Sequence, residues 1–70
     1  MTERERDIRK AAKLYKGDKS TLNKLNTENL NLAALSFSIN WEFINFVLKL
    51  IIKYGPAIVK EIVEYIKEHN

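Results

Sequence analysis

The stretch Trp41–Tyr54 constrains this chain more than any other. Its only polar residues are Glu42, Asn45, Lys49 and Lys53. At about 100° per residue these four fall within about a quarter of a helix circumference. Trp41, Phe43, Ile44, Phe46, Val47, Leu48, Leu50, Ile51, Ile52 and Tyr54 occupy the rest. A helix that is apolar nearly all round has to be covered by its own protein, by a partner or by lipid. The thin polar stripe is expected to be the only side of this helix that faces water.

The neighbouring sequence defines the ends of this helix. Ser38 or Asn40 supplies an N-cap, and Gly55 supplies a stop. Pro56 suits the first position of a following helix, where its missing N–H is not needed. That helix, Pro56–His69, is regularly amphipathic. Ile58, Val59, Ile62, Val63 and Ile66 form one face, and Lys60, Glu61, Glu64, Lys67 and Glu68 the other. The short joint at Gly55 and Pro56 is a hinge that folds the two helices into a hairpin.

Upstream, Thr2 and Glu5 have the spacing of a capping box. Glu3, Glu5 and Asp7 near the start, with Lys13 and Lys16 near the end, suit the helix dipole. A first helix over Glu3–Lys16 ending at Gly17 follows. Its narrow apolar face is Ile8, Ala11, Ala12 and Tyr15 with Leu14 beside it, opposite a basic stripe of Arg6, Arg9, Lys10, Lys13 and Lys16. Asp18 or Ser20 caps a short helix carrying Leu22 and Leu25. Thr27 caps another carrying Leu30, Ala33, Ala34 and Leu35. Asn23, Asn26, Asn29 and Asn31 weaken the helical pattern here.

Together these elements predict an all-α fold, a small bundle of four to five helices around the hydrophobic third helix, with a C-terminal helical hairpin. Seventy residues fill one domain. Within it, residues 1–38 are polar and basic, and residues 39–70 form the hydrophobic hairpin. With no cysteine there is no disulfide, and with one histidine a zinc site is not expected. The first thirty residues show no signal peptide. Lys49, Lys53 and Gly55-Pro56 interrupt the apolar stretch before about 20 residues accumulate, so no membrane span is expected. This leaves the cytoplasm, or export by a dedicated non-Sec route.

Catalysis is not expected, and neither is a cofactor or metal. His69 is terminal, and the Glu61, Glu64 and Glu68 face is flanked by Lys60 and Lys67, as in a solvated face or a salt bridge to the first helix. Gly17-Asp18-Lys19-Ser20-Thr21 superficially resembles a phosphate-binding loop, but has neither a second glycine upstream nor glycine directly before lysine. Residues 1–35 hold eight Lys/Arg against five Asp/Glu and account for the whole net charge of +3. That excess favours an anionic partner. Nucleic acid ranks last, because the segment that would read bases offers Asn29 and Asn31 and no arginine. Trp41, Phe43, Phe46 and Tyr54 have the helical spacing of core residues, its usual meaning, with a contact surface as the alternative.

Lys49-Leu50-Ile51-Ile52-Lys53-Tyr54-Gly55, Ile58-Val59-Lys60 and the ending Glu64-Tyr65-Ile66-Lys67-Glu68-His69 resemble leaderless bacteriocins of the enterocin and aureocin type. Those peptides pair an apolar helix ending in Lys-[Phe/Tyr]-Gly with a second helix. The resemblance covers residues 48–69. It implies a saposin-like bundle that attacks bacterial membranes without a receptor or an enzymatic step. On that basis Lys49, Lys53 and Lys60 would meet lipid headgroups, and Trp41, Phe43, Phe46 and Tyr54 would insert. Residues 36–70 are charge-neutral where the family is strongly cationic, and nothing in the family corresponds to residues 1–38. That segment then reads as a leader or as a mask over the hydrophobic hairpin.

The expected function is a membrane-active, bacteriocin-like helical peptide or its precursor, with an anionic membrane surface as partner. The alternatives are a helical interaction module, binding a hydrophobic partner or a second copy of itself, and a helix-turn-helix-type DNA-binding regulator.

Overall fold

The computed structural model describes residues 1–26, 30 and 39–69. Helix α1 spans Glu3–Leu14 and opens with the expected capping box. The Glu5 N–H donates to Thr2 Oγ1 at 3.1 Å, and the Thr2 N–H donates to Glu5 Oε1 at 3.5 Å. The far end comes earlier than expected. Tyr15 is extended, at φ −66° and ψ 125°, which leaves Lys16 outside the helix. Its side chain gives the reason. The ring packs edge-on against Phe43 at 5.0 Å, and the hydroxyl donates to the Asp18 carbonyl at 2.6 Å. Gly17 is needed for this close approach, since a Cβ there would lie 2.6 Å from Tyr15 Oη.

Asp18 then caps the short helix α2, Lys19–Leu22, by accepting from the Thr21 N–H at 2.7 Å and the Ser20 hydroxyl at 3.0 Å. These bonds favour the carboxylate and lower the Asp18 pKa, the Thr21 contacts most. Leu22 and Leu25 are buried, as their apolar spacing requires. The helix expected after Thr27 and the cap expected at Ser38 lie outside the described residues, apart from Leu30, which is buried.

Helix α3 spans Trp41–Tyr54, the bounds its apolar pattern predicts. Asn40 stands at the N-cap position, but its side chain does not cap α3. Its amide donates to the Leu14 carbonyl at 2.9 Å, and its oxygen accepts from the Lys16 N–H at 3.0 Å. It therefore satisfies the frayed end of α1. Gly55 stops α3 at φ 97°, with its N–H on the Ile51 carbonyl at 2.8 Å. A side chain would strain that backbone. Pro56 and Ala57 form a turn, and helix α4 begins two residues later than expected, at Ile58, and runs to His69.

The polar contacts give the directions of the helices. Glu3 at the start of α1 meets Lys53 at the end of α3, while Leu14 at the end of α1 meets Asn40 at the start of α3. These two helices are antiparallel. Arg4 pairs with Glu61 early in α4, and Ala12 shares a cleft with Tyr65 and Ile66 late in α4, so α1 and α4 are parallel. Helices α3 and α4 consequently form an antiparallel hairpin, with α1 packed against both. The core is apolar. Phe43, Ile44, Val47 and Leu50 of α3 meet Ile58, Val59, Ile62, Val63 and Ile66 of α4, closed by Ile8, Ala11, Leu22, Leu25 and Ile39. No polar side chain among the described residues is buried. The described residues make an all-α bundle of four helices.

Candidate functional site

The outward side of α3 departs from the expectation that only Glu42, Asn45, Lys49 and Lys53 face water. Ile52 is 88% exposed and Trp41 49% exposed. Leu48 is half-buried between them. At helical spacing the three lie on one line, Leu48 two turns from Trp41 and one turn from Ile52, beside Asn45 and Lys49. The hairpin and α1 cover the remaining apolar circumference and leave this line uncovered.

Other residues expected on the contact surface are elsewhere. Phe43 is fully buried against Tyr15 and cannot reach a partner in this fold. Phe46 is half-buried, with Lys10 Nζ 5.3 Å from its ring centroid. Lys53, expected to meet headgroups, reaches Glu3 Oε1 at 2.5 Å and Asp7 Oδ2 at 3.1 Å. Both contacts favour its ammonium and raise its pKa, Glu3 most. Tyr54, expected to insert, instead donates its hydroxyl to Asp7 Oδ2 at 2.5 Å. That bond raises the Tyr54 pKa and is the largest cause of the lowered Asp7 pKa. Lys53, Tyr54, Glu3 and Asp7 are a clasp between α1 and α3. Lys60 is exposed on α4, lining a shallow groove with Leu25, Val59 and Val63.

The basic stripe of α1 is on the surface as expected. Arg6, Arg9, Lys10, Lys13 and Lys16 are all exposed, and none pairs with a carboxylate among the described residues. Arg4, by contrast, is bonded to Glu61, which raises its pKa. A groove lined by Lys10, Leu14, Glu42, Asn45, Phe46 and Lys49 joins the basic side of α1 to the outer side of α3. The site is thus one continuous band. It runs from the α1 cations through Lys10, Lys49 and the exposed Glu42 to the apolar line of Trp41, Leu48 and Ile52.

Such a band offers exposed cations beside an uncovered apolar line. No group of three or more His, Cys, Asp or Glu side chains among the described residues is placed to hold a metal ion. No helix among them is long and apolar enough to cross a membrane. The chain matches no protein-family model, and no curated protein or solved structure is significantly similar to it.

Proposed function

We propose that this is a membrane-active helical protein that works without catalysis, by docking the outer side of α3 and the basic side of α1 on anionic lipid. The carrying observation is the exposed line of Trp41 and Ile52 beside Lys49. Tryptophan suits the headgroup boundary, isoleucine suits the acyl region, and lysine can lie along the surface with its ammonium among phosphates. Action is peripheral. Similarity to leaderless bacteriocins, and the saposin-like packing it implies, extends the proposal to bacterial membranes as the target. The position of α1 across the hairpin supports the masking role for the N-terminal segment, because α1 covers Phe43 and its neighbours and leaves Ile52 open.

Magnitudes favour anionic over neutral lipid. Burying Ile52 and the open part of Trp41 supplies about 2–4 kcal/mol. Each cation near an anionic surface adds about 1 kcal/mol. The apolar part alone gives binding of about 1–30 mM, while three or four cations bring it to between about 0.2 mM and 1 μM. Both halves of the band are needed.

Trp41 is the only tryptophan and therefore reports directly. With vesicles rich in phosphatidylglycerol its emission should shift to the blue and the vesicles should release trapped dye. With phosphatidylcholine alone neither should happen, and salt should weaken the effect. An unchanged Trp41 spectrum at millimolar anionic lipid would sink the proposal. A second reading rests on the same exposure of Ile52, since the apolar line could pair with that of a second copy. Sedimentation without lipid separates the two: a stable dimer that Ile52→Asn dissociates would favour self-association.

A further inference from the structure

A second feature lies on the opposite flank of α1, away from α3. Between α1 and the end of α4 runs a cleft of about 450 Å³, within the size range of small-molecule sites. One wall carries Arg9 and Lys13, and the other carries Tyr65 and His69. Those two rings are stacked, with centroids 4.0 Å apart and planes 15° from parallel. The His69 Nδ1 lies 2.9 Å from the Tyr65 carbonyl oxygen, which fixes the ring against the last turn of the helix. The floor is Ala12 and the buried Ile66. Among the described residues no carboxylate lines the cleft.

We propose that this cleft binds a small organic anion with a flat ring, of the aryl or nucleoside phosphate class. Two cations on one wall, unpaired with any described carboxylate, hold the anionic head by charge-assisted hydrogen bonds. The stacked pair extends an aromatic surface to which a ring can be added, and the cation wall itself favours a π face nearby. The apolar floor excludes water beneath the ring. Among the described residues Arg9 otherwise donates only to Met1 Sδ, a long contact of 3.9 Å, so no described carboxylate holds its guanidinium. Neither Trp41 nor Ile52 takes part. Arg9 and Lys13 belong also to the basic stripe of α1, so the aromatic wall of Tyr65 and His69 is what separates this site from membrane binding.

The test is a titration of the full chain with phenyl phosphate, followed by backbone amide NMR. Inorganic phosphate and phenol serve as controls. Saturable shifts should centre on Arg9, Ala12, Lys13, Tyr65, Ile66 and His69. The double variant Arg9→Gln/Lys13→Gln should bind at least about tenfold more weakly, the loss expected for two hydrogen bonds to a charged group. Both side chains are exposed, and an unchanged amide spectrum of the free variant confirms its fold. Tyr65→Leu should weaken phenyl phosphate but leave inorganic phosphate unaffected. Three results would overturn the proposal: no saturation at millimolar ligand; equal shifts at Arg6, Lys10 and Lys49, the mark of a diffuse counterion; or equal binding of inorganic and phenyl phosphate.

Discussion

Helices α3 and α4 are nearly equal in length and share one core, yet they treat their outer faces oppositely. Helix α4 follows the usual amphipathic rule, with Lys60, Glu64, Lys67 and Glu68 exposed and Ile58, Ile62 and Ile66 buried. Helix α3 buries Phe43, Val47 and Leu50, but also exposes Trp41 and Ile52. The fold accounts fully for the apolar residues of α4. It leaves an apolar surplus on α3, at Trp41 and Ile52. The two helices are also held differently. Polar side chains tie α3 to α1 at both ends, through Asn40 and through Lys53 with Tyr54, whereas the ion pair to α4 is Arg4–Glu61.

The sharpest way to break this contrast is to cut the inner and outer faces of α3 separately. Phe43 is fully buried, and Phe43→Ala should cost about 3–5 kcal/mol, enough to unfold much of a chain this small. Trp41 is half covered, so Trp41→Ala should cost clearly less, about 1–2 kcal/mol, while reducing affinity for anionic vesicles. Urea denaturation with vesicle sedimentation checks both. If Trp41→Ala destabilised the protein as strongly as Phe43→Ala, the outer line would be part of the core and the functional assignment would fail.

A matched pair of isoleucines sharpens it. Ile62 on α4 is 1% exposed and Ile52 on α3 is 88% exposed. Ile62→Ala should cost about 2–5 kcal/mol through cavity formation. Ile52→Ala should be nearly neutral in stability and should weaken vesicle release of dye. The chemistry of the two substitutions is identical, so the difference in denaturation midpoint measures burial alone.

This pair also shows what a sequence of this kind discloses. The ends of α3 were legible because Asn40 and Gly55 bracket the apolar run, and the capping box at Thr2 and Glu5 was legible because it is local. A periodicity argument works for α4, where polar and apolar residues divide the helix and so point to the core. On α3 the apolar arc has no direction, and the uncovered part depends on where α1 and α4 settle. Lys53 read as a free cation because Glu3 and Asp7 are remote in sequence. The early end of α1 was hidden for the same reason, since it depends on Tyr15 meeting Phe43.

Asn40 offers a smaller test at one end of α3. Its side chain bridges the Leu14 carbonyl and the Lys16 N–H. Asn40→Ala leaves both backbone groups to water and should cost about 1–2 kcal/mol. Asn40→Ser, a good N-cap for α3, should recover little of it if the side chain serves α1. Full recovery would mean that it serves α3.

The smallest effect is at the other end, and its pH dependence identifies it. In the folded protein the Asp7 pKa is lowered, chiefly by the Tyr54 hydroxyl and further by Lys53. A depressed carboxyl pKa contributes stability above its unfolded value of about 3.9, and that contribution disappears as pH falls through the folded pKa. Tyr54 is shifted in the opposite sense, raised by the same bond. Its contribution is present below the unfolded value of about 10 and disappears as pH rises through the folded one. Tyr54→Phe removes the hydroxyl and keeps the ring beside Arg4, whose Cζ is 5.3 Å from the ring centroid. The variant should be slightly less stable at neutral pH, and its acid transition should begin at a higher pH because Asp7 is then less depressed. The gap between the two proteins should close once Asp7 is protonated in both. A gap in urea midpoint that stays constant from neutral pH down to about pH 2, below the usual carboxylate range, would show that the hydroxyl acts through packing and that α3, like α4, is held to α1 without this clasp.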